Sequence, residues 1–141
     1  MAVGVLPDYP GFAANTAPAR PFERESDSMR ITRLSAASGF TPPGHFDMKA
    51  FVLQASGQGG HLTLVRSVFL PGGRAEYSVS SQDSQTETIY YMLDGELTFT
   101  TDTETVLLHP GDSILCQPGD GISVCNQTNL PATVLILLGT E

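Results

Sequence analysis

Apolar and polar positions alternate with a period of two along most of this chain. Phe46 to Gln54 places Phe46, Met48, Ala50 and Val52 on one face, with Asp47 and Lys49 on the other. His61 to Leu70 alternates Leu62 and Leu64 with Thr63 and Val65. Further short strands are expected at Met29–Leu34, Ala75–Ser80, Thr88–Met92, Glu96–Thr100, Glu104–Leu108, Asp112–Gln117, Ile122–Asn126 and Ala132–Leu138. Turn signals separate them. Thr41-Pro42-Pro43-Gly44, the loop Gly57 to Gly60 and Pro71-Gly72-Gly73 punctuate the first half. Asp94-Gly95, Gly111-Asp112 and Pro118-Gly119-Asp120-Gly121 punctuate the second, and the last of these reads as a hairpin turn between two strands. No window carries a helical stripe, so the pattern predicts an all-β barrel or sandwich.

Residues 1–28 lack this periodicity. They are rich in Ala and Pro, and we expect an N-terminal arm on the barrel surface or on a neighbouring subunit, with the barrel domain spanning residues 29–141. A single domain of 141 residues buries enough surface to stand without crosslinks. A turn at Pro118 to Gly121 would set Cys116 opposite Ser123 rather than Cys125, so both thiols are expected free.

The net charge is −8 and unevenly spread. All seven basic residues precede position 75, and ten acids with no Lys or Arg follow. Such a surface repels phosphate backbones and excludes nucleic acid as a partner. No apolar run has the length of a membrane span, and no basic, apolar leader opens the chain, so the cytoplasm is the expected compartment.

The motif spacing is informative. Gly111, five residues, Gln117-x-Gly119, two residues, Ile122, three residues and Asn126 follow one pattern; Thr88, six residues and Gly95 follow another. On these residues the chain resembles the cupin family. The resemblance implies a jelly-roll β-barrel, a homodimer, and a site inside the barrel. Where the family's motifs carry metal-binding histidines and a glutamate, this chain has Ile122 and Thr88, and no histidine lies between Glu76 and Gln85. Isoleucine has no lone pair to give a metal. We therefore expect neither metal nor other cofactor.

If Thr88 faces inward, so do Tyr90 and Met92; if Ile122 does, so does Val124. The expected ligand is thus a small, largely apolar organic molecule. Such side chains can also fill a barrel solid. Glu76 and Glu87 are the acid–base candidates, with Glu76 ahead if the motif register shifts and Glu87 pointing outward by parity. His45 sits two residues from Asp47 on a strand and so on the same face. His61 and His109 read as a strand-start and a turn residue. Arg66 and Arg74 are candidates to bind a substrate carboxylate. The expected activity is metal-independent proton transfer of isomerase, cyclase or lyase type. A non-catalytic binding module and an oxygenase with an atypical metal site stand as the alternatives.

Overall fold

The computed structural model describes residues 29–57, 60–76, 86–117 and 119–139; the expected arm at 1–28 lies outside them. Eight strands form the fold: β1 His45–Gln54, β2 Leu62–Ala75, β3 Glu87–Asp94, β4 Leu97–Thr100, β5 Thr105–Leu108, β6 Ser113–Cys116, β7 Ser123–Cys125 and β8 Ala132–Gly139. All pairings are antiparallel, in the order β5-β4-β7-β2-β8-β3-β6 with β1 on β2. This is the nearly closed barrel of a jelly-roll. Among the described residues no helix is long and apolar enough to cross a membrane.

The two longest strands belong to both walls. The first part of β2 pairs with β8, and its last residues, Arg74 and Ala75, pair with β7. The corner between these parts is a bulge. Phe46 pairs with Arg74 and Met48 with Phe69, so Leu70 to Gly73 stand opposite Asp47 alone. Asp47 and Gly72 both take positive φ there, 53° and 80°. A Cβ on Gly73 would collide with the carbonyl oxygens of Asp47 and Leu70. Pro71-Gly72-Gly73 therefore bends β2, where the turn signal had suggested an end. The bulge also turns Phe46 outward, away from the face of Met48, Ala50 and Val52.

Asn126 locks this corner. Its side chain is fully buried, and its Nδ2 donates to Phe69 O at 3.0 Å and Leu130 O at 2.8 Å. Its Oδ1 accepts from the backbone N–H and the hydroxyl of Thr128, at 2.9 and 2.8 Å. Gly72 N donates to Asn126 O, and Asn126 N to Gly73 O. One side chain thus ties the bulge to the β7–β8 turn.

The hairpin expected at Pro118 to Gly121 is corrected. β6 pairs with β3, while β7 pairs with β4 and β2, so Cys116 and Ser123 are not partners. Likewise β3 pairs with β6 and β8, and β4 with β5 and β7. In both cases the intervening turn carries the chain from one wall to the other. Gly95 makes the first crossing: its φ is +77°, and a Cβ would lie 2.7 Å from Pro131 O. Both cysteines are free. Met29–Leu34 does not form a strand; Ile31 makes an isolated bridge, and a 3-10 turn runs over Leu34–Ala36.

The core follows the alternation. Cross-strand partners share a face, giving layers that descend from one end: Thr63–Leu138–Thr88–Cys116, then Val52–Val65–Ile136–Tyr90–Ile114, then Ala50–Ser67–Val134–Met92. Ser67 is fully buried, and its Oγ has no hydrogen-bond partner. An orphaned buried hydroxyl costs about 1–3 kcal/mol. Ser67→Ala is therefore expected to leave the melting temperature unchanged or raise it by a few degrees, read by circular dichroism; a clear loss would count against the orphaned state.

Candidate functional site

The first of these layers marks the open end of the barrel. On one wall Thr88 and Tyr90 are half-buried, whereas Met92, below them, is fully buried. On the other wall the register runs His45–Ala75–Val124–Phe99, all on the inner face. The Tyr90 and Phe99 rings meet edge to face with centroids 5.0 Å apart, joining the walls. Ile122 and Val124 are both 4% exposed and act as packing beneath the opening.

His45 is the titratable group of this inner layer. It is half-buried, and burial lowers its pKa below the usual 6.5, opposed by its hydrogen bond to the backbone. Its Nδ1 lies 3.0 Å from Pro43 O. A carbonyl oxygen only accepts, so Nδ1 carries the proton there and, in the neutral ring, Nε2 is the unprotonated nitrogen. A neutral imidazole with that tautomer is equipped to take a proton.

A cleft of about 490 Å³ opens at the same end, between the β4–β5 turn and the β6–β7 connection. Its walls include Ile114, Cys116 and three carboxylates, Asp102, Glu104 and Asp120. The Asp120 carboxylate accepts from Gln117 N at 3.1 Å, which fixes its turn. Burial pushes the Cys116 thiol up to about 11, and the nearby Asp120 charge adds to that. Cys116 is accordingly a wall rather than a nucleophile. The volume lies within the range of small-molecule sites.

The other expected site residues lie elsewhere. Ala75 faces inward, so Arg74 and Glu76 on either side of it face out. The Arg74 guanidinium stacks 4.2 Å over the Phe46 ring and its Nε donates to Glu76 Oε2 at 3.2 Å. Glu76 is thus an exposed partner of Arg74, outside the interior where a base was expected. Glu87 is exposed on the outer face, as parity required. Arg66 pairs with Leu135 and Phe51 on the outer face of the sheet, away from the cleft. The shared face expected for His45 and Asp47 is broken by the bulge, which leaves His45 inside and Asp47 exposed. His109 sits exposed between Glu96 and Asp112, at 3.2 and 3.7 Å.

The rim carboxylates are what sequence reasoning missed. The signal was available: Thr101-Asp102-Thr103-Glu104 and Gly119-Asp120-Gly121 are acidic turns in the half of the chain that has no Lys or Arg.

The donor set argues against a metal centre of the family's kind. Thr88 and the buried Ile122 stand at two of its ligand places, and among the described residues no group of three or more His, Cys, Asp and Glu could hold a metal ion. A cupin metal site does not fit these residues.

Comparison with known proteins places the architecture. A beta-D-galactosidase of Mycobacterium tuberculosis is 33% identical over 110 residues, covering 77% of this chain and 91% of that protein. The polyketide cyclase RemF of Streptomyces resistomycificus is 16% identical, with a TM-score of 0.67 and 80% of each chain covered. A sugar phosphate isomerase of the cupin superfamily from Silicibacter pomeroyi is 18% identical, with a TM-score of 0.63, covering 77% of this chain and 74% of that one. These two likenesses concern the fold. Residues 65–138 match the family described as Cupin domain, and the chain belongs to it.

Proposed function

We propose that this chain is a metal-independent cupin enzyme of the cytoplasm that acts on a small carbohydrate, a β-galactoside in the first instance, by proton transfer at the open end of the barrel. The observation that carries the reading is the 33% identity to a beta-D-galactosidase over nearly the whole of that protein. The site adds chemical support. Cleaving a glycosidic bond requires one group to take a proton from the attacking water and another to assist the leaving oxygen. His45, on the inner face of the barrel with its Nδ1 held by Pro43 O, is assigned the first role. The rim carboxylates Asp102, Glu104 and Asp120 hold sugar hydroxyls, and one of them serves the leaving group. Ile114 and Leu115 supply the apolar wall of the cleft. This revises the expected ligand from largely apolar to polyhydroxylated, because the cleft is rimmed with carboxylates. The free thiols of Cys116 and Cys125 suit a reducing compartment.

The test is hydrolysis of a nitrophenyl β-D-galactoside by purified protein before and after exhaustive chelation. Turnover that survives chelation is expected. Activity lost on chelation and restored by a metal would sink the metal-free part. Saturable galactoside binding in calorimetry with no turnover would replace the enzyme by the binding module.

A further inference from the structure

The cleft at the open end of the barrel carries charge of one sign. Asp102 and Glu104 line it from the β4–β5 turn, and Asp120 from the β6–β7 connection. No Lys, Arg or His is among the described residues that line it. The turns themselves can supply no Lys or Arg, since the chain has none beyond Arg74. Arg74 projects to the outer face, stacked on Phe46 and paired with Glu76. His45, kept neutral at pH 7 by burial, adds no positive charge at this end. Three carboxylates in one cleft repel one another, and a neutral sugar bound among them relieves none of that repulsion. A protonated amine would relieve it, and would donate up to three charge-assisted hydrogen bonds. The wall of the cleft already feels this field. Burial is the main reason that the Cys116 thiol holds its proton, and the Asp120 charge is the second.

We infer that the preferred substrate of this site is a β-galactoside that carries an amino group, on the sugar or on its aglycone. The inference rests on the galactosidase reading and narrows it. The same field turns away substrates that bear a carboxylate or a phosphate. Arg66 and Arg74, the candidates to hold a substrate carboxylate, both lie on outer faces away from the cleft. An anionic glycoside therefore meets three like charges and no cation among the described lining residues. An exposed ion pair is worth at most about fivefold in affinity, and three carboxylates acting on one ammonium together give about tenfold at low salt. The preference belongs to the rim and not to the net charge of −8, so it should follow the cleft carboxylates and ignore an acid at the closed end.

The experiment is calorimetric titration of the full chain at about pH 6, where amines are protonated and carboxylates ionised. The probes are 2-hydroxyethyl, 2-aminoethyl and carboxymethyl β-D-galactoside, with galactose and galactosamine as a second pair. One amine or the other should bind about tenfold tighter than its neutral counterpart, and which one does so places the amine on the aglycone or on the sugar. The carboxymethyl compound should bind at least about tenfold more weakly than the neutral one. Both gaps should close in about 1 M salt, where screening acts within roughly 3 Å. Asp120→Asn, which keeps an oxygen for Gln117 N, should cut the amine preference several-fold. Glu96→Gln, at the other end of the barrel and equal in charge change, should leave it intact; circular dichroism confirms that both variants fold. Amine and neutral ligands binding within about twofold of each other would overturn the inference, as would equal losses in the two variants. Hydrolysis of the nitrophenyl galactoside with no gain for either amine overturns the inference alone. A gain for an amine without hydrolysis overturns the hydrolytic reading alone.

Discussion

Asn126→Ala should cost about 3 kcal/mol and lower the melting temperature by roughly 10 °C. The side chain makes four hydrogen bonds from a fully buried position. Alanine removes all four and leaves Phe69 O and Leu130 O without their amide donor. A buried polar group stripped of its partner pays its full desolvation cost, which is why the effect exceeds that of an ordinary hydrogen bond. Asn126→Asp is a sharper control. It keeps an acceptor for Thr128 but points a second oxygen at two carbonyl oxygens, so it should be at least as damaging near neutral pH. Thermal melts of both variants provide the check. A loss below about 1 kcal/mol for Asn126→Ala would mean that the bulge at Gly72 and Gly73 holds itself.

The second large effect is on turnover. His45→Ala should lower kcat on a galactoside by about 10²–10⁴, the usual contribution of a positioned base, with KM little changed. The pH dependence gives independent evidence. Burial lowers the His45 pKa, so the imidazole stays neutral at pH 7. The acid limb of kcat/KM should have its midpoint below 6.5, the rate being flat through neutrality and falling as the ring takes a proton. Stability should follow the same group. Because the folded pKa lies below the unfolded one, the contribution is fully present above pH 6.5 and is lost as pH falls through the folded value. A rate profile without that limb, or identical in His45→Ala, would move the base to another residue.

Parity was the legible part of this protein. Thr88, Tyr90 and Met92 face one way, and Ile122 and Val124 join them, because nothing interrupts the alternation between Thr88 and Met92 or at β7. The bulge was not legible. A Pro-Gly-Gly run signals an end as readily as a bend, and only the partner strand decides between them. Once Asp47 stands opposite four residues, Phe46 leaves the inner face and His45 parts from Asp47. Likewise, a turn rich in Gly and Asp does not say whether the next strand lies beside the last or across the barrel. That ambiguity produced the mistaken pairing of β6 with β7. The rim carboxylates escaped notice for a different reason: acidic turns are ordinarily just solvated, and their convergence on a cleft exists only once β4–β5 and β6–β7 are brought to the same end.

The place of β8 has a consequence for how the chain is made. It lies between β2 and β3, yet it comes after both in the sequence. During synthesis β2 and β3 emerge with unpaired backbone edges, and neither can be sealed until residues 132–139 leave the ribosome. Folding of that wall therefore waits for its last strand, and the nascent chain meanwhile holds two sticky edges. A holding chaperone, or slow growth at low temperature, should accordingly matter more to the soluble yield than the stability of the finished barrel would suggest.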